Sequence, residues 1–160
     1  MKTNYIKRNY YLIPLATLLT ITFRGYLATL NKDWLETLSF PSAFPPFWAF
    51  PSIIWPLIFT SITITVLFIW NKTKRDIRYG YVMPLVIIMA LLHVAWSIVF
   101  FELHNIKLGF IILLILTTLS VKFMQSIAKE SIATSLLFAP FVAWQIYASI
   151  LTYSLVQLNS

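Results

Sequence analysis

The sequence predicts an all-α integral membrane protein folded as a bundle of five transmembrane helices. Three observations predict it. First, 59% of the 160 residues are hydrophobic and only 11% are charged, whereas a soluble domain averages roughly 45–50% and about 25%. Second, five apolar segments are each near the ~20 residues needed to cross a hydrocarbon core. Third, the basic residues between those segments alternate in density from one connection to the next. With no water available to satisfy free backbone groups, the segments must be helices. Only three glycines and no alternating apolar and polar runs argue against a transmembrane β-barrel.

The spans are predicted at about 10–30, 47–70, 81–101, 108–127 and 132–158, within a single membrane domain covering 1–160. The first apolar run lacks a small-residue cleavage site and reads as a retained helix rather than a signal peptide. Orientation follows from the loop cations. Lys2, Lys7, Arg8, Lys72, Lys74, Arg75, Arg78, Lys122 and Lys129 fall on one side of a five-span chain, and only Lys32 and Lys107 on the other. Nine against two places the N-terminus in the cytoplasm and the C-terminus outside. The net charge of +7 is thereby accounted for by membrane topology, and nucleic acid is not implied. The chain has no cysteine, which excludes disulfides and thiolate metal sites.

Residues 31–46 form the one long outer connection. It carries Trp34, Leu35, Leu38, Phe40 and Phe44 and ends in Pro41, Pro45 and Pro46. This is too apolar for a solvated coil, so it is predicted to lie as a lid over the outer end of the bundle. Five spans do not divide into the matching halves of an inverted-repeat transporter.

Six tryptophans are the strongest local signal. Trp70, with Tyr10, Tyr11, Tyr79 and Tyr81, suits the aromatic belt at the headgroups. Trp34 lies in the loop and Trp48 at the outer rim. Trp55, Trp96 and Trp144 lie inside spans, roughly 12, 9 and 20 Å below the outer ends at 1.5 Å per residue. Helical spacing extends each into a stripe: Trp48, Ser52, Trp55 and Phe59; His93, Trp96 and Phe100; Pro140, Trp144, Tyr147 and Leu151. Two readings fit these stripes. They are aromatic packing between helices, or they hold the helices apart around a pocket, since membrane interfaces favour small residues and indoles stack on flat ligands.

Arg24 and His93 are the ionisable groups at membrane depth, where such groups usually face the bundle interior. Arg24 can snorkel to the interface or pair with a ligand carboxylate. His93 can bind a metal, hydrogen-bond a ligand, or bond to a neighbouring helix. His93 and His104 are about three turns apart, too far to share one ion on one helix. No metal site, resident cofactor or catalytic constellation is predicted from the residues.

The stretch Pro45-Pro46-Phe47-Trp48-Ala49-Phe50-Pro51-Ser52-Ile53-Ile54-Trp55-Pro56-Leu57-Ile58-Phe59 resembles the loop-to-second-helix signature of the TspO/MBR family, the tryptophan-rich sensory proteins and translocator proteins (peripheral-type benzodiazepine receptors). Ala95-Trp96-Ser97 with Phe100-Phe101, and Ala139-Pro140-Phe141-Val142-Ala143-Trp144 with Tyr147-Ala148-Ser149, match its third and fifth helices. The resemblance covers nearly the whole chain. It implies a five-helix bundle, often a homodimer, that binds protoporphyrin IX, haem and synthetic isoquinoline carboxamide or benzodiazepine ligands. It also implies stress signalling in bacteria, with light- and oxygen-dependent degradation of protoporphyrin IX in some members. By motif, the tryptophans given that role are Trp55 and Trp144. The implied ligand-binding set is Trp34, Trp48, Pro51, Phe59, His93, Trp96, Phe100, Phe141 and Tyr147. A porphyrin or lipid transporter and a membrane scaffold with no small-molecule site are the alternatives. The chain departs from the family pattern at several positions. Ala43 and Phe44 stand where a tryptophan is usual, and His93 and Thr152 where asparagines are. No acidic residue opens the fourth span, and no basic residue follows Tyr153 to complete a sterol-recognition pattern, itself a weak motif.

Overall fold

The helices of the protein follow from where its apolar faces find partners. The computed structural model describes residues 3–42, 54–72 and 77–159. Helix α1 is Thr3–Leu30, α2 Lys32–Thr37, α3 Ile54–Lys72 and α4 Ile77–Ser97, which runs into a π-turn at Ile98–Glu102. Helix α5 is Ile106–Ala128 and α6 is Ile132–Leu158. Among the described residues there is no strand.

Among the described residues four helical stretches are long and apolar enough to cross a membrane: Tyr10–Leu30, Met83–Glu102, Ile106–Ala128 and Ile132–Leu158. Helix α3 contributes a shorter apolar stretch, Pro56–Trp70. The expected start of that span, 47–53, lies outside the described residues. The described helices number six where the sequence suggested five. The addition is α2, whose 6 residues extend only about 9 Å and cannot span a bilayer. It forms inside the expected lid because Asp33 sits in its first turn, favourable to the helix dipole, and Leu35 anchors it in the core.

The five long helices close into a ring. Helix α1 packs on α3 and α4, α3 on α6, α6 on α5, and α5 on α4. On α5 the buried residues are Gly109, Leu113, Leu116, Ser120, Phe123 and Ile127, a single stripe at helical period. Capping starts both C-terminal helices: Asn105 accepts from Leu108 N–H at 3.0 Å, and Ser131 from Thr134 N–H at 3.2 Å. Hydroxyls tie neighbours together. The Thr117 and Ser149 oxygens are 3.0 Å apart, those of Thr17 and Thr63 2.8 Å apart, and Ser135 donates to the Met124 carbonyl at 3.0 Å. Such bonds compensate for the missing hydrophobic drive between helices in lipid.

At the end of the bundle where α1 and α6 finish, the described part of the connection after α1, residues 31–42, packs against the helix ends. Asn159 of α6 donates to the Ser39 carbonyl at 3.1 Å and accepts from Ser39 N–H at 2.9 Å. The Asn31 Oδ1 accepts from His104 Nε2 at 3.0 Å, and the His104 ring stacks on Trp34 at 4.3 Å. By contrast α1 is only lightly covered. Among its described residues Leu27 alone is buried, and Leu12, Leu15, Leu18 and Leu19 are exposed.

Candidate functional site

The π-turn sets the geometry of the aromatic cluster. A widened turn lets two successive residues, Phe100 and Phe101, both point inward, at 0% and 2% exposure; π-turns of this kind recur at functional sites. Gly109 of α5 faces them. A Cβ there would come within 3.3 Å of the Phe100 ring, so the glycine permits the close approach. Trp96 stacks on Phe100 at 5.3 Å between centroids, and Phe100 meets Trp34 edge-on at 5.5 Å. On the other side Trp96 lies 6.0 Å from His93, and His93 lies 6.5 Å from Phe59. Phe59, His93, Trp96, Phe100 and Trp34 thus form one continuous run of rings. The Arg24 guanidinium carbon sits 5.6 Å from the Trp96 ring centre, a cation–π placement for a charge held at membrane depth.

One end of this run opens into a cavity of about 500 Å³ between α1, α3 and α4, with α5 and α6 at its back. Phe59, His93 and Phe141 border it; each comes from a different helix, and all three were nominated from the sequence. His93 is buried, and neither of its ring nitrogens has a hydrogen-bond partner among the described residues. Apart from His93, Thr17 and Thr20, the wall is apolar. Pockets of roughly 300–1,000 Å³ with apolar walls and few polar groups are the usual form of small-molecule sites.

The other nominated residues whose side chains are described lie elsewhere. Trp96 and Phe100 are close-packed in the core, at 2% and 0% exposure, and Trp34 packs over them. Trp144 and Tyr147, 5.5 Å apart, are half-buried against the core on α6. Trp55 falls in the first turn of α3, but its side chain lies outside what is described; so do Trp48 and Pro51. This cavity lies in the half of the bundle away from α2. Among the described residues the rings near α2 stack on one another, while Ala16, Thr17 and Ala90 leave space between α1 and α4. Sequence reasoning missed the α1 wall of Leu12, Ile13, Ala16, Thr17 and Thr20. Its signal was present as small and hydroxyl residues at helical spacing.

The site can enclose a flat apolar body and offer it one imidazole. Among the described residues no group of three His, Asp or Glu side chains could hold a metal ion, and no acid borders the cavity.

A sequence model of the TspO/MBR family matches residues 12–158. The chain belongs to the TspO/MBR family. It is 31% identical over 128 residues to the tryptophan-rich protein TspO of Chlorobaculum tepidum, covering 79% of each chain. It is 30% identical over 145 residues to the tryptophan-rich protein TspO of Archaeoglobus fulgidus, covering 89% of this chain and 92% of that one. It is also similar to protein CrtK of Rhodobacter capsulatus, at 27% identity over 79% of this chain and 78% of the relative. Membership of the TspO/MBR family and the apolar helices make the chain a multi-pass integral membrane protein.

Proposed function

We propose that this protein is a membrane receptor for porphyrins such as protoporphyrin IX and haem, and for similar flat hydrophobic ligands. The observation that carries the reading is the cavity of about 500 Å³ on which Phe59, His93 and Phe141 converge from three helices. Phenyl faces suit a conjugated macrocycle, and a buried imidazole without a partner suits a ligand that brings a hydrogen bond or a metal. The family resemblance supports the same ligand class. It also supports a homodimer in a bacterial cell membrane, with light-dependent porphyrin loss carried by Trp55 and Trp144.

The proposed topology is one domain over 1–160 crossing the bilayer five times, N-terminus in the cytoplasm, with 31–46 as an outer lid. Two observations support it. The basic residues divide nine to two, and the Asn159–Ser39 pair joins the C-terminus to the end of the bundle where α1 finishes. Reporter fusions at the two termini test this: opposite sides are expected, and the same side rejects five crossings.

Titration of the purified protein with protoporphyrin IX, read by tryptophan fluorescence, tests the ligand class. Saturable quenching is expected. Linear, non-saturating quenching would leave a scaffold whose aromatics only pack. Uptake of porphyrin into vesicles bearing the protein would favour a transporter.

A further inference from the structure

Between the π-turn and α5 the chain turns within Leu103, His104 and Asn105. Both flanks of His104 are pinned. Leu103 N–H donates to the Ile98 carbonyl at 3.0 Å and Asn105 N–H to the Val99 carbonyl at 3.1 Å, while the Asn105 side chain caps α5. To make this turn His104 takes a φ of 51°, in the left-handed region that histidine enters more readily than most side chains but glycine alone enters freely. No other described residue has a left-handed φ. The conformation carries an exposed imidazole away from its own helices and onto α2.

Every contact of that ring survives protonation. Its Nε2–H donates to the Asn31 Oδ1 at 3.0 Å, and Asn31 in turn donates to the Leu27 carbonyl of α1 at 3.0 Å. The second proton therefore enters at Nδ1, which has no partner among the described residues. The ring lies flat on Trp34, with centroids 4.3 Å apart and planes at 15°. The face of an indole attracts a cation, so the charged ring grips Trp34 more strongly than the neutral one. The other holds on residues 31–42 do not titrate: the buried Leu35, the edge of Trp34 against Phe100 and the Asn159 bonds to Ser39. The charged residues of the segments meeting here are Lys32, Asp33, Glu36, Glu102 and Lys107. Lys32 and Glu36 pair with each other at 3.5 Å, and none of the five forms an ion pair with His104 among the described residues.

We propose that His104 is a pH-sensitive latch: protonation of its ring tightens the hold of α2 on the end of the bundle, and deprotonation loosens it. The latch needs no ligand. On the topology proposed above it faces the outer medium, and it would report acidification there through Trp34 to the ring run at Phe100 and Trp96.

Hydrogen exchange of the full-length protein in a non-ionic detergent tests this, read as protection relative to an unstructured chain at the same pH. The probes are the Leu35 and Leu38 amides, which bond to the Asn31 and Leu35 carbonyls. From about pH 8 to about pH 5, the range over which an imidazole changes charge, their protection should rise about two- to fivefold, as for an exposed cation–π contact. His104→Asn tolerates the left-handed backbone but cannot take up a charge, and it should abolish the rise. Trp34→Leu keeps the imidazole but removes the indole face, and it should do the same. Unchanged exchange in α5 and α6 reports that the variants are folded. A rise retained in either variant would assign the effect to another group and overturn the proposal. A wild-type protein with equal protection at both pH values would overturn it without any variant.

Discussion

Replacing His93 by leucine should make the ligand-free protein more stable and less able to bind. His93 is 9% exposed, and both of its ring nitrogens lack a partner among the described residues. Leaving a buried donor or acceptor unsatisfied costs about 1–3 kcal/mol. An apolar side chain of similar volume removes that cost, keeps the contact with Phe59 and Trp96, and adds no cavity of its own. His93→Leu is therefore expected to gain roughly 2 kcal/mol, at the middle of that range. For a chain of this length each kcal/mol moves the melting temperature by roughly 2–4 °C, so the midpoint should rise by roughly 4–8 °C. Thermal unfolding in detergent, followed by circular dichroism, reads the shift directly. The same variant should lose porphyrin affinity if the proposed site is right, because the imidazole is the polar group that the cavity would offer the ligand. A melting temperature lowered by several degrees would refute the reasoning, since it would mean that the imidazole makes bonds that stabilise the fold.

Four further outcomes follow from particular contacts. Haem added to the purified protein should give a Soret shift that His93→Asn abolishes; an unchanged spectrum in the variant rejects iron coordination by His93. Gly109→Val should push against Phe100, 3.3 Å from the added Cβ, and destabilise by about 1–3 kcal/mol as overpacking does, read by the same melting curve. Thr117→Val and Ser149→Ala, tested singly and together, should show a coupling of about 0.6 kcal/mol, the average for hydrogen bonds between membrane helices; zero coupling would mean the 3.0 Å contact contributes nothing. Trp55→Phe with Trp144→Phe should keep most porphyrin binding but lose most of any light-dependent loss of porphyrin absorbance, with Trp70→Phe as the control, and full activity in the double variant would remove the proposed photochemistry.

Helix type and position were legible because lipid leaves few choices: an apolar run of the right length must satisfy its own backbone. Predicted spans 108–127 and 132–158 lie close to α5 and α6, since Asn105 and Ser131 cap their starts. Helix α2 was not legible, because six residues give too little periodicity to separate a turn of helix from a loop. The π-turn was hidden for a similar reason: Ile98–Glu102 reads as a continuation of α4. Phe59, His93 and Phe141 were nominated from helical spacing and family motif, and they border one cavity. The α1 wall of that cavity was not legible, because spacing identifies the face of one helix and not which face it meets across the bundle. Trp96 and Phe100 stack on one another, one of the two arrangements that their spacing allowed. The open volume borders Ala16, Thr17 and Ala90, whose short side chains carry little pattern.

The central claim is that the cavity between α1, α3 and α4 is the binding site for a flat hydrophobic ligand. The most direct measurement is a fluorescence titration with protoporphyrin IX of the wild-type protein and of a cavity-filled variant, Ala90→Phe with Val94→Phe. Ala90 and Val94 are one turn apart on α4, and both border the cavity. Saturable quenching in the wild type, weakened at least tenfold in a filled variant that remains helical and folded, is the predicted result. Equal affinity in the two proteins would contradict it.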